Sequence, residues 1–318
     1  MASMIIMPML VSIIINNYNY AEFLEEAILS ALNQRSPSVE VVVVDDGSTD
    51  SSREIIDAYK DRIIPVIKQN GGQASAFNAG FEVASGEIIC FLDSDDYFYS
   101  DKILKVSNLF HKYTEAGWCF HELEEVDKSG QVIHQDRRRI DQLELVSLQS
   151  VLLKGERLQH WFPATSGLCF RRQTLEKILP MPDAFQIAAD SFVRLSSIYL
   201  SSGVLSPELW AVHRQHGSNL YDFREDVHIN RAKVGIKSAY YLRKRFPTLR
   251  LFANRCFCSS LSRLIRYIGL IKAYRIVEVR NYVEEDKSIH FKVKLISRIA
   301  KDFCMRPALL RQSRLSKK

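Results

Sequence analysis

The sequence is short of several common signatures. Its six cysteines, at positions 90, 119, 169, 256, 258 and 304, are scattered without a CxxC spacing, which argues against a zinc site and a disulfide framework and fits a reducing compartment. No stretch approaches the ~20 uninterrupted apolar residues of a membrane-spanning helix, so an integral membrane protein is not expected. The apolar opening around Met4 to Ile15 lacks a basic leader and an A-x-A cleavage site, and it runs into an Asn- and Tyr-rich turn. It reads as a first strand rather than a signal peptide. Low-complexity tracts are missing, which excludes global disorder and fibrous repeats. There is no G-x-G-x-x-G after the first strand and no G-x-x-x-x-G-K-[ST] anywhere, which disfavours dinucleotide and P-loop nucleotide binding.

What is present is an ordinary globular composition: 318 residues, 47% hydrophobic and 25% charged, enough for one large domain or two modest ones. The formal charge of +6 is uneven. Residues 250–318 carry 17 Lys and Arg against 5 Asp and Glu, a local excess of +12, which leaves −6 for the rest. An acidic body and a basic tail are expected to meet different partners.

Two periodicities alternate through the first hundred residues. Leu10 to Ile15, VEVVVVDD, Ile63 to Ile67 and IICFL read as buried strands, with Pro65 hinting at an edge. AEFLEEAILSAL, STDSSREIIDAYK, QASAFNAGFEVA and Asp101 to Tyr113 read as helices. That alternation predicts an α/β fold with a doubly wound, mostly parallel sheet. From about 115 to 225 the pattern loosens into short strands, loops and one or two helices, TLEKIL and DSFVRLSSIYL among them. Beyond 226 the chain reads as helical, which predicts domains at 1–225 and 226–318.

Ligands of such sheets bind beyond the carboxyl ends of the strands. The residues there are NNYNY (16–20), DDGSTD (45–50) and DSDD (93–96). Asp93 and Asp95, one residue apart, concentrate negative charge. Hard divalent cations want oxygen ligands, and Mg²⁺ or Mn²⁺ usually takes only one or two carboxylates, with phosphate and water completing the shell. By itself D-x-D reads more readily as a solvated acidic turn, with Asp96 or Asp101 capping a helix. DDGSTD is by itself either a helix cap or a place where Asp46 accepts a hydrogen bond from a base or ribose.

Taken in order, VSIIINNYNY, VEVVVVDDGSTD, NGGQASAFNAG and GEIICFLDSDD resemble the amino-terminal half of family 2 glycosyltransferases. These have the GT-A fold and use nucleotide-diphospho-sugars. The resemblance covers about residues 10–115 and, more weakly, 160–222. It implies that Asn16 and Tyr18 line the nucleotide pocket, that Asp46 accepts from the base, and that Asp93 lies near ribose and metal. It further implies that Asp95 ligates a Mn or Mg ion on the diphosphate, and that Asn70, Gly71 and Asn78 belong to the segment closing over the donor. Inverting members take their catalytic base from a later Asp, here Asp190 in QIAADSFVRL, with Asp183 as fallback. Ala189 replaces the frequent Glu of that pair, and Asp190 as a plain helix cap stays open. In WFPATSGLCFRR, Trp161 would wall the acceptor side or sit in a core. In HRQHGSN, Arg214 and His216 could reach diphosphate or metal. The Gln-x-x-Arg-Trp signature of processive synthases is missing, which favours single additions.

The expected activity is therefore inverting, metal-dependent transfer of one sugar from a nucleotide-diphosphate donor to a hydroxyl of a glycan or lipid-linked acceptor. A sugar-phosphate nucleotidyltransferase and a non-catalytic binding module are the alternatives. Within 251–270, Arg255, Arg263 and Arg266 fall in an arc of about 80°, opposite Phe257, Leu261, Leu264, Ile265 and Ile268. This basic amphipathic helix could lie on anionic lipid or pack its apolar face on the catalytic domain with the arginines facing water. A cytoplasmic protein is expected, peripheral to the inner face of the cell membrane in the first case. Nucleic acid is not an expected partner: no recognisable reader is present and the acidic clusters would repel a polyanion.

Overall fold

The computed structural model describes residues 9–36, 38–133, 139–217, 219 and 226–304, with backbone only at 302–304. The start of the Met4–Ile15 run, Ser218 and residues 220–225 around the expected boundary lie outside the described residues. The chain divides into two compact units, Met1–Gln149 with Leu158–Ser218, and Ser150–Arg157 with Asn219–Lys318.

In the first unit the strands are β1 (Val11–Asn17), β2 (Val39–Asp45), β3 (Ile64–Ile67), β4 (Ile88–Asp93), β5 (Tyr97–Phe98), β6 (Ala116–Val126), β7 (Glu144–Val146), β8 (Leu168–Arg171) and β9 (Ser202–Arg214). Helices α1 (Ala21–Leu32), α2 (Ser52–Ala58), α3 (Gln73–Val83) and α4 (Lys102–Lys112) connect the early strands. The short α5 (Gln149–Leu153) falls from Ser150 onward in the second unit, and α6 (Arg172–Leu175) and α7 (Asp190–Leu200) follow in the first. One sheet runs β3-β2-β1-β4-β8-β6-β9-β5, with β7 also on β9. Pairings among β3, β2, β1 and β4 are parallel, and so is β6 with β9, whereas β8 lies antiparallel to both β4 and β6.

The continuous apolar runs of β1, β2 and β4 follow from burial on both faces. Ile13, Ile15, Val41, Val43, Cys90 and Leu92 join the cluster under α1 and α4, while Phe91 on the opposite face stacks on Phe77 of α3, ring centres 4.2 Å apart. Pro65 does lie on the edge strand. The region expected to hold short strands instead contains the two longest, the 11-residue β6 and the 13-residue β9. β9 breaks its apolar run at Pro207 and Glu208 and pairs with β6 through register shifts, which blurs the period of two. TLEKIL also differs: the helix there is only Arg172–Leu175.

The second unit is helical: α8 (Val227–Arg245), α9 (Arg250–Ile268), α10 (Leu270–Tyr274), α11 (Val277–Glu285) and α12 (Ile289–Cys304). Its core joins Ile236 and Tyr240 of α8 to Phe257, Leu261, Leu264 and Ile265 of α9, Tyr282 of α11, and Phe291 and Leu295 of α12. The apolar side of 251–270 is therefore covered by neighbouring helices. The reading in which this face meets lipid is corrected: it packs on helices of its own unit, which is neither of the two surfaces expected for it.

Asp286 pins these helices. It accepts from Arg250 (2.9 Å), Asn254 (3.1 Å) and Arg243 (3.3 Å). Burial pulls its pKa up, but hydrogen bonds from Arg250, the Ser288 amide and Asn254 outweigh it and hold the carboxyl below its usual range. A depressed folded pKa contributes stability above the unfolded value of about 4 and loses it as pH falls through the folded value. Asp286→Ala should cost the protein about 3 kcal/mol at neutral pH. In urea melts followed by circular dichroism, the gap between wild type and variant should close below about pH 4.

Candidate active site at the strand ends

Parallel registration brings the carboxyl ends of three strands side by side. Asn16 at the end of β1 is opposite Asp93 at the end of β4, and Asn17 is opposite Asp45 of β2. Side chains reinforce the backbone: Asn16 Nδ2 donates to Asp93 Oδ1 (2.8 Å), and Asn17 Nδ2 donates to Asp45 Oδ1 (3.2 Å) and Ser48 Oγ (3.1 Å). Buried Asn16 Oδ1 has no hydrogen-bond partner among the described residues. Tyr18 is exposed just beyond.

Carboxylate oxygens of Asp93, Asp95 and Asp96 lie within 4.8 Å of one another. Burial, then the charges of Asp95 and Asp96, push the Asp93 carboxyl up to about 8. Burial and the Asp95 charge likewise raise Asp96 well above the carboxylate range. Asp96 is engaged by protein: it accepts from Ser166 Oγ (2.5 Å) and the Arg214 amide (2.9 Å). Asp95 faces His216, whose Nε2 is 3.0 Å from Asp95 Oδ2. The imidazole is fixed against the rings of Phe23 (4.9 Å) and Tyr20 (5.7 Å). Octahedral Mg²⁺ or a similar cation, with bonds of about 2.0–2.1 Å, sets adjacent ligand atoms about 3 Å apart. The His216 and Asp95 atoms have that spacing, and a cation would relieve the crowding of charge that raises Asp93. The donor set fits a hard divalent ion.

Arg214 does not face this opening. Its buried guanidinium donates to the Asp95 carbonyl (3.0 Å), the Lys128 carbonyl (3.2 Å) and Glu26 (2.5 Å). The expectation of a phosphate contact is corrected: five donors in a fixed fork make Arg214 a staple holding the acidic loop from behind.

The loop after β3 closes on β2 through Asp46, which accepts from Lys68 Nζ (2.6 Å) and from the amides of Gly71 (3.0 Å) and Gly72 (2.7 Å). With about four lone-pair sites on a carboxylate, three are occupied within the protein. Asn70 is exposed at this loop. Asn78 on α3 exchanges two hydrogen bonds with the Met181 backbone, 2.8 and 2.9 Å. That geometry supports positioning of the loop before α7, not donor contact.

Gln73, at the start of α3, joins the two halves of the site. Its Nε2 donates to Asp93 Oδ1 (3.3 Å) and Thr165 Oγ1 (3.4 Å), and its Oε1 accepts from the Ala189 amide (2.8 Å). Asp190 is the next residue and the first of α7. Its Oδ2 pairs with Arg194 Nη1 at 3.2 Å, and Arg194 also donates to the Pro163 carbonyl. Asp183, the fallback, is exposed. Trp161 is half-buried under the guanidinium of Arg139, 4.7 Å from the ring centre.

Gly72 makes this convergence sterically possible. It sits at φ 83° and ψ 175°, a region essentially restricted to glycine, and an added Cβ would stand 2.5 Å from Gln186 Cα. Gly72→Ala should push the 70–74 loop off the 185–189 segment and lower turnover about 10²-fold. Steady-state kinetics beside a thermal melt would separate lost geometry from lost folding.

Sequence reasoning missed Gln73, Lys68, Thr165, Ser166, Asp96 and Arg194 as site-building residues. Arg194 was findable from its i,i+4 spacing to Asp190. The others are contacts across 20 to 92 residues that carry no local pattern.

A mixed sheet whose parallel half ends in an acidic rim beside a histidine, with a further Asp at a facing helix start, defines a GT-A-type glycosyltransferase. The glycosyl transferase family 2 model matches residues 12–179, and the chain belongs to that family. An uncharacterized glycosyltransferase of Nostoc sp. is 39% identical over 217 residues, 66% of either chain. The Escherichia coli UDP-Glc:alpha-D-GlcNAc-diphosphoundecaprenol beta-1,3-glucosyltransferase WfaP is 43% identical over 104 residues, 32% of this chain and 40% of that one. Among solved structures, S. aureus TarS 1–349 in complex with UDP-GlcNAc has a TM-score of 0.60 at 19% identity, covering 92% of this chain and 90% of that chain, a likeness of fold.

Proposed function

We propose that this chain moves one sugar from a nucleoside-diphosphate donor to a hydroxyl of a glycan or lipid-linked acceptor, with inversion and dependence on Mn²⁺ or Mg²⁺. The observation that carries it is the link through Gln73, which ties the Asp93 rim to the residue beside Asp190. In this reading residues 1–225 act as the catalytic domain and 226–318 as a basic helical region. The name of the E. coli relative, a glucosyltransferase for a diphosphoundecaprenol acceptor, supports the acceptor class.

Asp93, Asp95 and His216 would hold the cation, which as a Lewis acid stabilises charge on a departing diphosphate. Asn16, Tyr18, Asp46, Asn70 and Gly71 surround the place for the nucleotide, with Asn16 Oδ1 as an open acceptor. Asp190 takes the proton from the acceptor hydroxyl as that oxygen bonds to the anomeric carbon and the bond to the diphosphate breaks. Attack opposite the leaving group inverts the centre. Arg194 orients the Asp190 carboxylate, and Trp161 offers its ring on the acceptor side.

The test is a thermal-shift screen of UDP, GDP and dTDP with Mn²⁺, followed by turnover of the stabilising donor. Saturation to 100 times Kd adds about 2.7 kcal/mol of apparent stability. EDTA should abolish both shift and turnover, and the product anomer should be opposite to the donor's. Full turnover in EDTA would remove the metal, and a retained anomer would remove the direct displacement.

A further inference from the structure

With the apolar face of α9 covered, a contiguous exposed apolar stripe lies, among the described residues of the helical unit, on α12. We propose that the outer face of α12 docks this protein on an anionic lipid surface. Ile289, Val293 and Ile296 are 79%, 60% and 67% exposed, and at about 100° per residue their i, i+4, i+7 spacing confines them to an arc of about 60°. They are not core residues out of place, because the same helix has a separate inward face. Phe291 and Leu295 are 1% and 8% exposed, with the Phe291 ring against Tyr282 (5.7 Å) and Phe257 (6.1 Å).

The margins of the stripe decide the partner. Exposed Lys292 borders one side within about 40°, Lys294 and Lys301 lie about 80–100° beyond the other, and no acidic residue occurs between 289 and 301. Lysines beside an apolar stripe lay their methylenes along the interface while the ammonium groups reach lipid phosphates. A second copy of the chain is disfavoured as the occupant, since stripe-to-stripe pairing would set these lysine margins against each other. A nucleic acid would match the charge and leave three branched aliphatic side chains in water. The same unit repeats the chemistry in Leu270 and Ile271, 59% and 73% exposed, beside Lys272. The proposal does not depend on the reading of the catalytic rim.

Co-sedimentation of the full chain with phosphatidylglycerol-containing vesicles, and with pure phosphatidylcholine vesicles as control, tests it. Binding is expected on the anionic vesicles at low ionic strength, with strong loss near 1 M salt, where the Debye length is about 3 Å. The triple variant Ile289→Asp, Val293→Asp, Ile296→Asp should weaken partition roughly tenfold or more, with melting temperature and turnover on a soluble acceptor unchanged. Should that variant melt early, Lys292→Gln, Lys294→Gln, Lys301→Gln serves instead, with about fivefold loss for each charge. No binding to anionic vesicles at low salt, equal binding by wild type and a folded variant, or a wild-type dimer abolished by the triple substitution would each overturn the proposal.

Discussion

Replacing Asp95 with alanine is expected to lower turnover about 10³-fold or more. Lewis-acid stabilisation of a diphosphate leaving group is worth several kcal/mol, and every 1.36 kcal/mol is a factor of ten in rate. The loss should be concentrated in this residue. Asp95 faces His216 at the opening, whereas Asp96 is bound to Ser166 and the Arg214 amide. Asp95→Ala should therefore abolish the Mn²⁺-dependent thermal shift by the nucleoside diphosphate and leave the melting temperature of the free protein nearly unchanged. Asp96→Asn should do the reverse, lowering the melting temperature first, because it weakens the clamp on two backbone segments. Turnover of Asp95→Ala within tenfold of wild type would remove the cation-bound diphosphate from the reading.

The second large effect is expected at Asp190. A positioned general base contributes typically 10² to 10⁴ in rate, so Asp190→Asn should cut kcat by about that range. Donor binding should stay intact, because the Ala189 amide still bonds Gln73. Loss of the charge that faces Arg194 leaves that guanidinium its bond to the Pro163 carbonyl, so the start of α7 should hold. Asp183→Asn, at an exposed position, should have little effect. A binding module without chemistry would show no turnover to lose, and isothermal titration with the donor together with product analysis distinguishes the cases.

Much of this arrangement was legible in the residues themselves. The runs of β1, β2 and β4 are apolar on both faces, and a parallel sheet then places NNYNY, DDGSTD and DSDD on one rim without further information. The roles within the rim were less legible. Asp95 and Asp96 are neighbours of the same type, and only Ser166 and Arg214, 70 and 118 residues after Asp96, show that Asp96 is the one held by the surrounding segments, while Asp95 faces His216. Arg214 was misread for the same reason: a basic residue next to a histidine suggests phosphate until Glu26, Lys128 and the Asp95 carbonyl are seen around it. The short-strand expectation for 115–225 failed where the register shifts between β6 and β9 interrupt the alternation.

The position of Arg214 and His216 at the far end of β9 has a consequence for how the protein comes into being. A nascent chain of 200 residues already contains every acidic motif and the Asp190 turn, yet neither the side chain that braces the acidic loop nor the imidazole opposite Asp95 has been synthesised. Competence for the cation should thus arise late on the ribosome, when the final strand of the sheet emerges. Earlier release products would be folded in part and chemically silent.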